Sequence, residues 1–325
     1  MKYAPVLVVP ALLSCMAGPA AAQSAPAWPA KPVRIISPFA PGGGADITAR
    51  AIGQKLSPAL GQPVVIDNRG GAGGMIGVEL AVKSPPDGYT LVLGTIGPIA
   101  INPSLYAKMP YDPIKDLAPI SHTANALNVL VVHPSLPVKN VKDMVALAKK
   151  RSSDLNFGSS GPGAADHLAG ELFNYMTGAK MVHVPYKGGA PAMIDLVAGN
   201  VQLVFSTVST ALGSIQSDRV RAIAMAGNQR FELLPDIPTV AEGGLKGFEA
   251  NNWYGLFAPA GTPKDILVRL HAETVKIMAM PDVKKRLLDS GINATSTTPE
   301  QFAVYIDSET KKWAKVIKAA NIKVD

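Results

Sequence analysis

A glycine-rich turn between an apolar segment and an amphipathic segment restricts the fold of this chain most. Residues 33–36 (VRII) predict a short buried strand, and residues 38–50 (PFAPGGGADITAR) predict a turn that opens a helix. Glycine lets the backbone approach a ligand closely, and the free N–H groups at a helix start attract a carboxylate or phosphate. The segment therefore predicts an α/β fold with an anion-binding turn near its start, or a turn that only connects two elements.

The segment after this turn has the pattern of a helix with one buried face. Asp46 falls in its first turn, where the helix dipole favours a negative side chain, so it is predicted either as a cap or as a contact to ligand or water. Arg50 lies four residues later and is predicted to pair with Asp46 rather than to grip a ligand. Phe39 is predicted in the core or in the lining of a cleft. The apolar residues at near-helical spacing are Ile47, Ala51, Ile52, Leu56 and Leu60.

Strand-like and helix-like segments alternate from residue 33 to residue 93, which predicts a parallel sheet with ligands at the carboxyl ends of its strands. The turn at residues 161–166 (GPGAAD) repeats the pattern of residues 42–46 (GGGAD), with a strand before it and a helix after it. Two such turns, far apart in sequence, predict two lobes that each offer a helix N-terminus to one ligand. Extended segments near residues 120–132 and 248–258 are expected to cross between the lobes.

The N-terminal segment predicts secretion. Residues 1–22 carry Lys2, an apolar run and a small-residue site, so cleavage is expected after Ala22. Cys15 lies in a sequence that loosely resembles a lipoprotein box, which leaves lipid anchoring as the alternative. Cys15 is the single cysteine of the 325 residues. Cleavage after Ala22 would therefore leave a chain without disulfides, thiol catalysis or cysteine-bound metal.

The charge distribution argues against a nucleic-acid-binding protein. The chain has 31 basic and 24 acidic side chains, and removal of Lys2 with the signal leaves 30 − 24 = +6. The basic residues are scattered and form no stripe interleaved with aromatic residues. A mild positive field would instead help to attract small anions.

The sequence disfavours three more specific functions, namely nucleotide binding, hydrolysis and metal binding. No Gly-x-Gly-x-x-Gly and no Gly-Lys-Ser/Thr occurs at the glycine turns, which disfavours a nucleotide site. Ser160 lies in a segment similar to a nucleophile elbow, near Asp166 and His167, but Pro162 occupies the position that needs glycine. A periplasmic hydrolase therefore remains the enzymatic alternative. The five histidines show no metal-ligand spacing, and His167 is predicted to stabilise its own turn.

Motifs spread over the whole mature chain resemble the solute receptors of the tripartite tricarboxylate transporters, the Bug family of periplasmic binding proteins. The residues that carry the resemblance are 28–35, Pro41-Gly42-Gly43 with Asp46 and Arg50, 67–69 with 71–74, 102–106, 161–163 with 167–168, 184–188, 234–239 and 253–255. The chain departs from the family at Ala165-Asp166, where the family usually has small hydroxyl residues. A second acid near the cleft could repel an anion, so Asp166 is expected either to point away or to select an unusual ligand.

The resemblance implies a two-lobed periplasmic-binding-protein fold of type II, with the cleft between the lobes and crossover strands at the hinge. The expected divisions are residues 1–22 as signal peptide, 23–125 with 250–325 as the first lobe, and 126–249 as the second. The implied function is non-enzymatic capture of a small organic carboxylate for a membrane permease, by a periplasmic monomer without cofactor or metal. A ligand-sensing signalling partner is a further alternative. The residues expected at the ligand are Phe39, Ala40, Gly43, Asp46, Thr95, Ser159, Gly161, Gly163, His167, Tyr186 and Thr207.

Overall fold

The computed structural model describes residues 1, 4 and 28–324. The predicted signal peptide, with Cys15 and the cleavage site at Ala22, lies outside the described residues apart from residues 1 and 4. Two sheets flanked by helices make up the described part of the chain, which confirms the predicted α/β class. Within that part, no helix combines the length and the apolar character that a membrane crossing requires.

The first sheet has the strand order β11-β4-β10-β3-β1-β2. Its strands are β1 (Val33–Ser37), β2 (Val64–Asn68), β3 (Thr90–Thr95), β4 (Leu117–Ala126), β10 (Asn252–Pro259) and β11 (Asn293–Ala294). The helices of this lobe are α1 (Gly44–Leu60), α2 (Met75–Val82), α3 (Asn102–Leu105), α8 (Lys264–Ala279), α9 (Pro281–Asp289) and α10 (Pro299–Ala320). A 3-10 turn (Ala72–Gly74) precedes α2, and a π-helical turn (Gly97–Ile101) precedes α3.

The second sheet has the order β7-β6-β8-β5-β9. Its strands are β5 (Asn128–Val132), β6 (Asn156–Ser159), β7 (Val182–Pro185), β8 (Leu203–Thr207) and β9 (Arg221–Met225). The helices of this lobe are α4 (Val141–Lys150), α5 (Ala165–Thr177), α6 (Gly189–Ala198) and α7 (Val208–Gln216), with a 3-10 turn (Ser152–Asp154) after α4.

Both sheets are mixed: the predicted parallel pairing of the first three strands is confirmed, but antiparallel strands complete each sheet. The pairs β1–β2, β1–β3, β6–β7 and β6–β8 are parallel. The strand that arrives from the other lobe inserts antiparallel: β10 lies between β3 and β4, and β5 lies between β8 and β9. Strand–helix alternation imposes parallel pairing only where a crossover helix stays within one lobe, and these two strands follow passages between lobes.

The chain passes between the sheets at two neighbouring places. Leu127 separates β4 from β5 and makes the outward passage. The return occurs at Asn251, because Ala250 N–H still donates to Ala226 O at 2.8 Å in the second lobe. Asn128 Nδ2 also donates to Ala250 O at 2.9 Å, which ties the two passages together.

The predicted helix after the first glycine turn is present as α1. Ile52 and Leu56 are fully buried, and Gly61 ends the helix in a left-handed conformation. The long helix α10 begins with a capping box formed by Thr298 and Gln301. Burial of one helix face against each sheet holds the strand ends, and the turns that follow them, in fixed positions.

Candidate functional site

The first glycine turn joins β1 to α1 and is closed by Asp46. Gly42 N–H donates to Asp46 Oδ2 at 3.1 Å, and Arg50 Nε donates to the same carboxylate at 3.0 Å. Asn68 Nδ2 donates both to Asp46 Oδ1 at 2.9 Å and to Phe39 O at 3.1 Å. Burial raises the pKa of Asp46, but the hydrogen bonds from Arg50, Gly42 and Asn68 outweigh burial and hold the pKa below its usual range. The predicted Asp46–Arg50 pair is confirmed, and the acid stays ionised.

The second glycine turn joins β6 to α5 and is closed by Asp166. Ser160 donates to Asp166 Oδ2 through its N–H at 2.8 Å and through its Oγ at 2.5 Å. His167 N–H donates to Asp166 Oδ1 at 2.9 Å. Burial raises the pKa of Asp166 to about 6, since the bonds from Ser160 and His167 compensate only in part. Among the described residues, this acid has no arginine partner like the one beside Asp46.

Two histidines lie beneath the second turn. Gly163 N–H donates to His167 Nδ1 at 3.1 Å, so His167 stabilises its own turn as predicted. The ring of His183 stacks on that of His167 at a centroid distance of 4.0 Å, and its Nε2 lies 2.5 Å from Ser159 Oγ. Burial lowers the pKa of His167 to about 3, with a contribution from His183, and burial lowers the pKa of His183 to about 4. The turn therefore rests on two neutral imidazoles.

The two helix starts meet at one cavity between the lobes. It encloses about 430 Å³ of free space, counting the part open to solvent. Gly44 and Ala165 are the first residues of α1 and α5, and both line it. A Cβ at Gly44 would lie 2.3 Å from the Tyr254 hydroxyl oxygen, so only glycine allows the buried tyrosine to approach this helix start. The lining residues are Phe39, Gly43, Gly44, Ala45, Asn128, Ser160, Ala164, Ala165, Asp166, Gly189, Thr207, Thr210, Asn252 and Tyr254.

The polarity of the cavity is provided by neutral groups and one acid. Hydroxyls, carboxamides and helix N-termini dominate the lining, and among the described lining residues none is a lysine or an arginine. Asp166 and Tyr254 are its two titratable side chains. Burial raises the pKa of Tyr254 well above its usual range, so the phenol keeps its proton. An anion in this cavity would therefore meet N–H and O–H donors rather than a cationic side chain.

Three of the residues predicted at the ligand line this cavity, namely Phe39, Gly43 and Thr207. Ala40 N–H instead donates to Lys187 O across the lobes at 3.2 Å. The Tyr186 hydroxyl donates to Asp195 at 2.6 Å. The predicted residues that lie outside the lining are Ala40, Asp46, Thr95, Ser159, Gly161, Gly163, His167 and Tyr186. Their contact with a ligand stays a prediction, and their observed contacts shape the two turns, the adjoining strands and the junction between lobes.

Several lining residues were not predicted at the ligand. Asn128 pairs with Thr207 across β5 and β8, so the predicted Thr207 could have indicated it once the strand pairing was known. Tyr254 pairs with Thr95 in the same way, across β10 and β3. Thr210 lies in α7, a helix that the sequence analysis did not identify.

Ser160 donates to a carboxylate rather than to an imidazole, so its hydrogen bond is not that of an activated nucleophile. Among the described residues, no cluster of three or more His, Cys, Asp and Glu could hold a metal.

The chain is similar to receptors of one transporter type along most of its length. The model of the tripartite tricarboxylate transporter family receptor matches residues 48–322. A UPF0065 protein in the tcbD-tcbE intergenic region of Pseudomonas sp. (strain P51) is 39% identical over 297 residues, which are 91% of this chain and 88% of that protein. Protein BugT of Bordetella pertussis (strain Tohama I) is 36% identical over 325 residues, 100% of both chains.

Solved structures of similar proteins support the same relationship. A periplasmic transporter superposes with a TM-score of 0.88 at 42% identity, covering 92% of this chain and 100% of that one. Rpa4515 of R. palustris with adipate has a TM-score of 0.88 at 36% identity, covering 91% and 99%. MatC (Rpa3494) from Rhodopseudomonas palustris with bound malate has a TM-score of 0.86 at 31% identity, covering 89% and 100%. The chain belongs to the tripartite tricarboxylate transporter family of receptors, and it is a periplasmic solute-binding protein with two α/β lobes.

Proposed function

We propose that this protein captures a small organic carboxylate in the cavity between its lobes and delivers it to the permease of a tripartite transporter. One observation carries the proposal: the N-termini of α1 and α5, one from each lobe, line the same cavity. Each helix start presents N–H groups without intrahelical partners and the positive end of a helix dipole. A carboxylate placed between them would receive hydrogen bonds from both lobes.

The cavity favours recognition by fixed dipoles. Its lining holds no lysine or arginine among the described residues, and its hydroxyls can donate to oxygen atoms that the backbone does not reach. Bridging waters would complete the contacts where side chains are short. Rpa4515 and MatC were solved with adipate and malate, so dicarboxylates are the first candidates for this chain as well.

Closure on the ligand is part of the proposal. The lobes already touch outside the cavity, where Ala40 N–H donates to Lys187 O. A ligand that contacts both lobes stabilises this closed arrangement by its differential affinity for it. The proposed lobes are residues 23–126 with 252–325, and residues 128–250, with the hinge at the two passages at Leu127 and Asn251. Export by the signal peptide, a monomeric state and the absence of catalysis belong to the same proposal.

Thermal unfolding in the presence of candidate acids tests the proposed function. The probes are adipate, malate, citrate and benzoate, with hexane-1,6-diol as the uncharged control. A ligand at about 100 times its Kd stabilises the native state by about 2.7 kcal/mol, so at least one acid should raise the melting temperature by several degrees in a saturable manner. A shift with none of the acids, or an equal shift with the diol, would contradict carboxylate capture.

An ester-hydrolysis assay separates this function from the enzymatic alternative. The protein and its Ser160→Ala variant should show the same background rate with p-nitrophenyl acetate, because the Ser160 hydroxyl donates to Asp166 and not to a histidine, as it would in a Ser-His pair. Turnover by the unaltered protein that disappears in Ser160→Ala would support a hydrolase instead.

A further inference from the structure

Each glycine turn is followed by an aspartate at a corresponding position, but only one of these two aspartates has a cationic partner. Asp46 and Asp166 each lie in the first turn of a helix and accept backbone N–H groups from the turn before it. Asp46 pairs with Arg50 at 3.0 Å and lies outside the cavity lining. Asp166 lines the cavity, and none of the described ion pairs involves it. A carboxylate ligand entering this cavity would therefore approach a second, uncompensated carboxylate.

The groups around Asp166 provide no counter-charge. From its own helix, His167 donates its N–H, and the Nδ1 of its imidazole accepts the Gly163 N–H, so the ring is neutral. From the preceding turn, Ser160 contributes a neutral N–H and a neutral hydroxyl. From β10, Tyr254 is the other titratable residue that lines the cavity, and it is a protonated phenol. Burial already raises the pKa of Asp166 to about 6 before any anion arrives.

The hydrogen bonds of Asp166 leave room for one proton. A carboxylate offers about four acceptor positions, and the two bonds from Ser160 and the one from His167 occupy three of them. The backbone N–H of Asp166 itself makes a further, smaller contribution that lowers its pKa. A proton on the remaining position would convert this side of the cavity from an acceptor to a donor. A buried carboxyl kept neutral by its surroundings can then donate a hydrogen bond to an anion.

We propose that the cavity binds an organic anion together with one proton, which is held at the carboxyl of Asp166. This inference rests on the proposed carboxylate function. In the binding step, Asp166 takes one proton from the solvent, the ligand carboxylate stays ionised, and the new O–H donates to a ligand oxygen. The net charge of the cavity after binding is that of the ligand alone. Two like charges in one buried site would otherwise disfavour the complex.

Proton uptake and pH dependence are two consequences of the same linkage. At pH 7.5 free Asp166 is mostly ionised and bound Asp166 is protonated, so each ligand takes up close to one proton. The Kd then rises about tenfold per pH unit above pH 6.5, until the pKa of the bound carboxyl is reached. A site without this coupling would keep a constant Kd over that range.

Isothermal titration calorimetry measures the uptake directly. The probe is the acid among adipate, malate and benzoate that gives the largest thermal shift, because all three are ionised above pH 7. Titrations at pH 7.5 in phosphate and in Tris, whose ionisation enthalpies differ, give the number of protons bound per ligand. We expect a value near one for the unaltered protein, and a tenfold weaker Kd at pH 8 than at pH 7.

Two variants assign the proton to a residue. Asp166→Asn keeps the shape of the side chain without an ionisable group, and it should bind the acid with no proton uptake and a constant Kd. Glu171→Gln is the matched control, because Glu171 lies on the same helix, is partly buried and is outside the cavity lining. It should keep the uptake of the unaltered protein.

The possible results separate this inference from the function on which it rests. Binding without proton uptake by the unaltered protein would overturn the inference and leave carboxylate capture intact, even if Asp166→Asn failed to fold. Uptake that persists in Asp166→Asn would overturn the assignment to Asp166. Absence of binding by every acid would contradict the function itself and the inference with it.

Discussion

Gly73 shows how a single missing side chain permits the contact between the lobes. Its φ is +60°, and a Cβ at this position would lie 2.0 Å from Pro162 O in the other lobe. In the sequence, the glycine-rich residues 71–74 contributed only to the family resemblance. The structure shows that these residues belong to the junction between the lobes, where Gly73 meets the turn that carries Asp166.

Substitution of Gly73 tests the importance of this contact. Gly73→Ala should weaken carboxylate binding about tenfold or more, because the methyl group would hold the lobes apart and remove contacts that favour the closed state. Gly61→Ala is the matched control, since Gly61 has a φ of +70° and nothing within 4 Å of its Cβ position. Both variants should lose about 1 kcal/mol of stability through the left-handed backbone. Equal Kd values for the two, measured by calorimetry, would show that closure does not need this contact.

Individual side chains differed in how well the sequence could predict them. The Asp46–Arg50 pair was predictable because residues four apart on a helix are neighbours whatever the rest of the fold does. Tyr186 was expected at the ligand but donates to Asp195, which lies nine positions away. Its direction depends on the packing of α6 against β6 and β8, which no local pattern encodes.

At the scale of elements, the strand–turn–helix unit was the most predictable feature. The helices α1 and α5 follow the glycine turns as expected, and each has its acid in the first turn. Mixed pairing was not predictable in the same way, because the strands β10 and β5 enter each sheet from the other lobe. Those insertions bring Asn128, Asn252 and Tyr254 into the cavity, which is why local motifs missed them.

The buried histidines predict an acid-dependent loss of stability. Burial lowers the pKa values of His122 and His183 to about 4 and that of His167 to about 3, whereas an unfolded histidine has a pKa of about 6.5. The unfolded chain therefore binds more protons below pH 6.5, and stability should fall as the pH drops from 6.5 towards 4. Asp166 acts in the opposite direction between pH 6 and 4, because its pKa in the fold, about 6, lies above the unfolded value.

Urea denaturation at pH 7 and pH 5 measures this balance. Between pH 7 and pH 5, each buried histidine should lower the free energy of unfolding by on the order of 2 kcal/mol. Asp166 should raise it by about 1 kcal/mol, so the free energy of unfolding falls overall. His183→Gln should make this decrease smaller by about the contribution of one buried histidine. His133→Gln, at a histidine that bonds to Ser135 on the surface, should leave the loss unchanged. A stability that is constant or higher at pH 5 would contradict the burial of neutral imidazoles beneath the second turn.

At the scale of the whole molecule, the described chain passes between the two sheets at two neighbouring places. Buried apolar side chains of both lobes also belong to one continuous cluster, and α10 packs against α5. Residues of β4, β5 and β10 flank both passages, so a change of a few backbone angles there would rotate one lobe against the other. The described structure has the lobes in contact, with the Ala40–Lys187 hydrogen bond across the junction. Entry of a ligand into the cavity therefore requires a more open arrangement of the lobes.

Small-angle scattering tests this requirement. The ligand-free protein in solution should have a radius of gyration about 1 Å larger than the protein saturated with the best-binding acid, since domain closure around a ligand contracts the molecule. The Gly73→Ala variant should contract less. An identical radius with and without ligand would indicate that the lobes do not move, and entry to the cavity would need another explanation.

A crystal structure of the protein with the acid that gives the largest thermal shift tests the proposed binding mode most directly. We expect one ligand carboxylate between the starts of α1 and α5, within hydrogen-bond distance of N–H groups from residues 43–45 in one lobe and 164–166 in the other. A ligand bound at a site that touches only one of these two helix starts would contradict it.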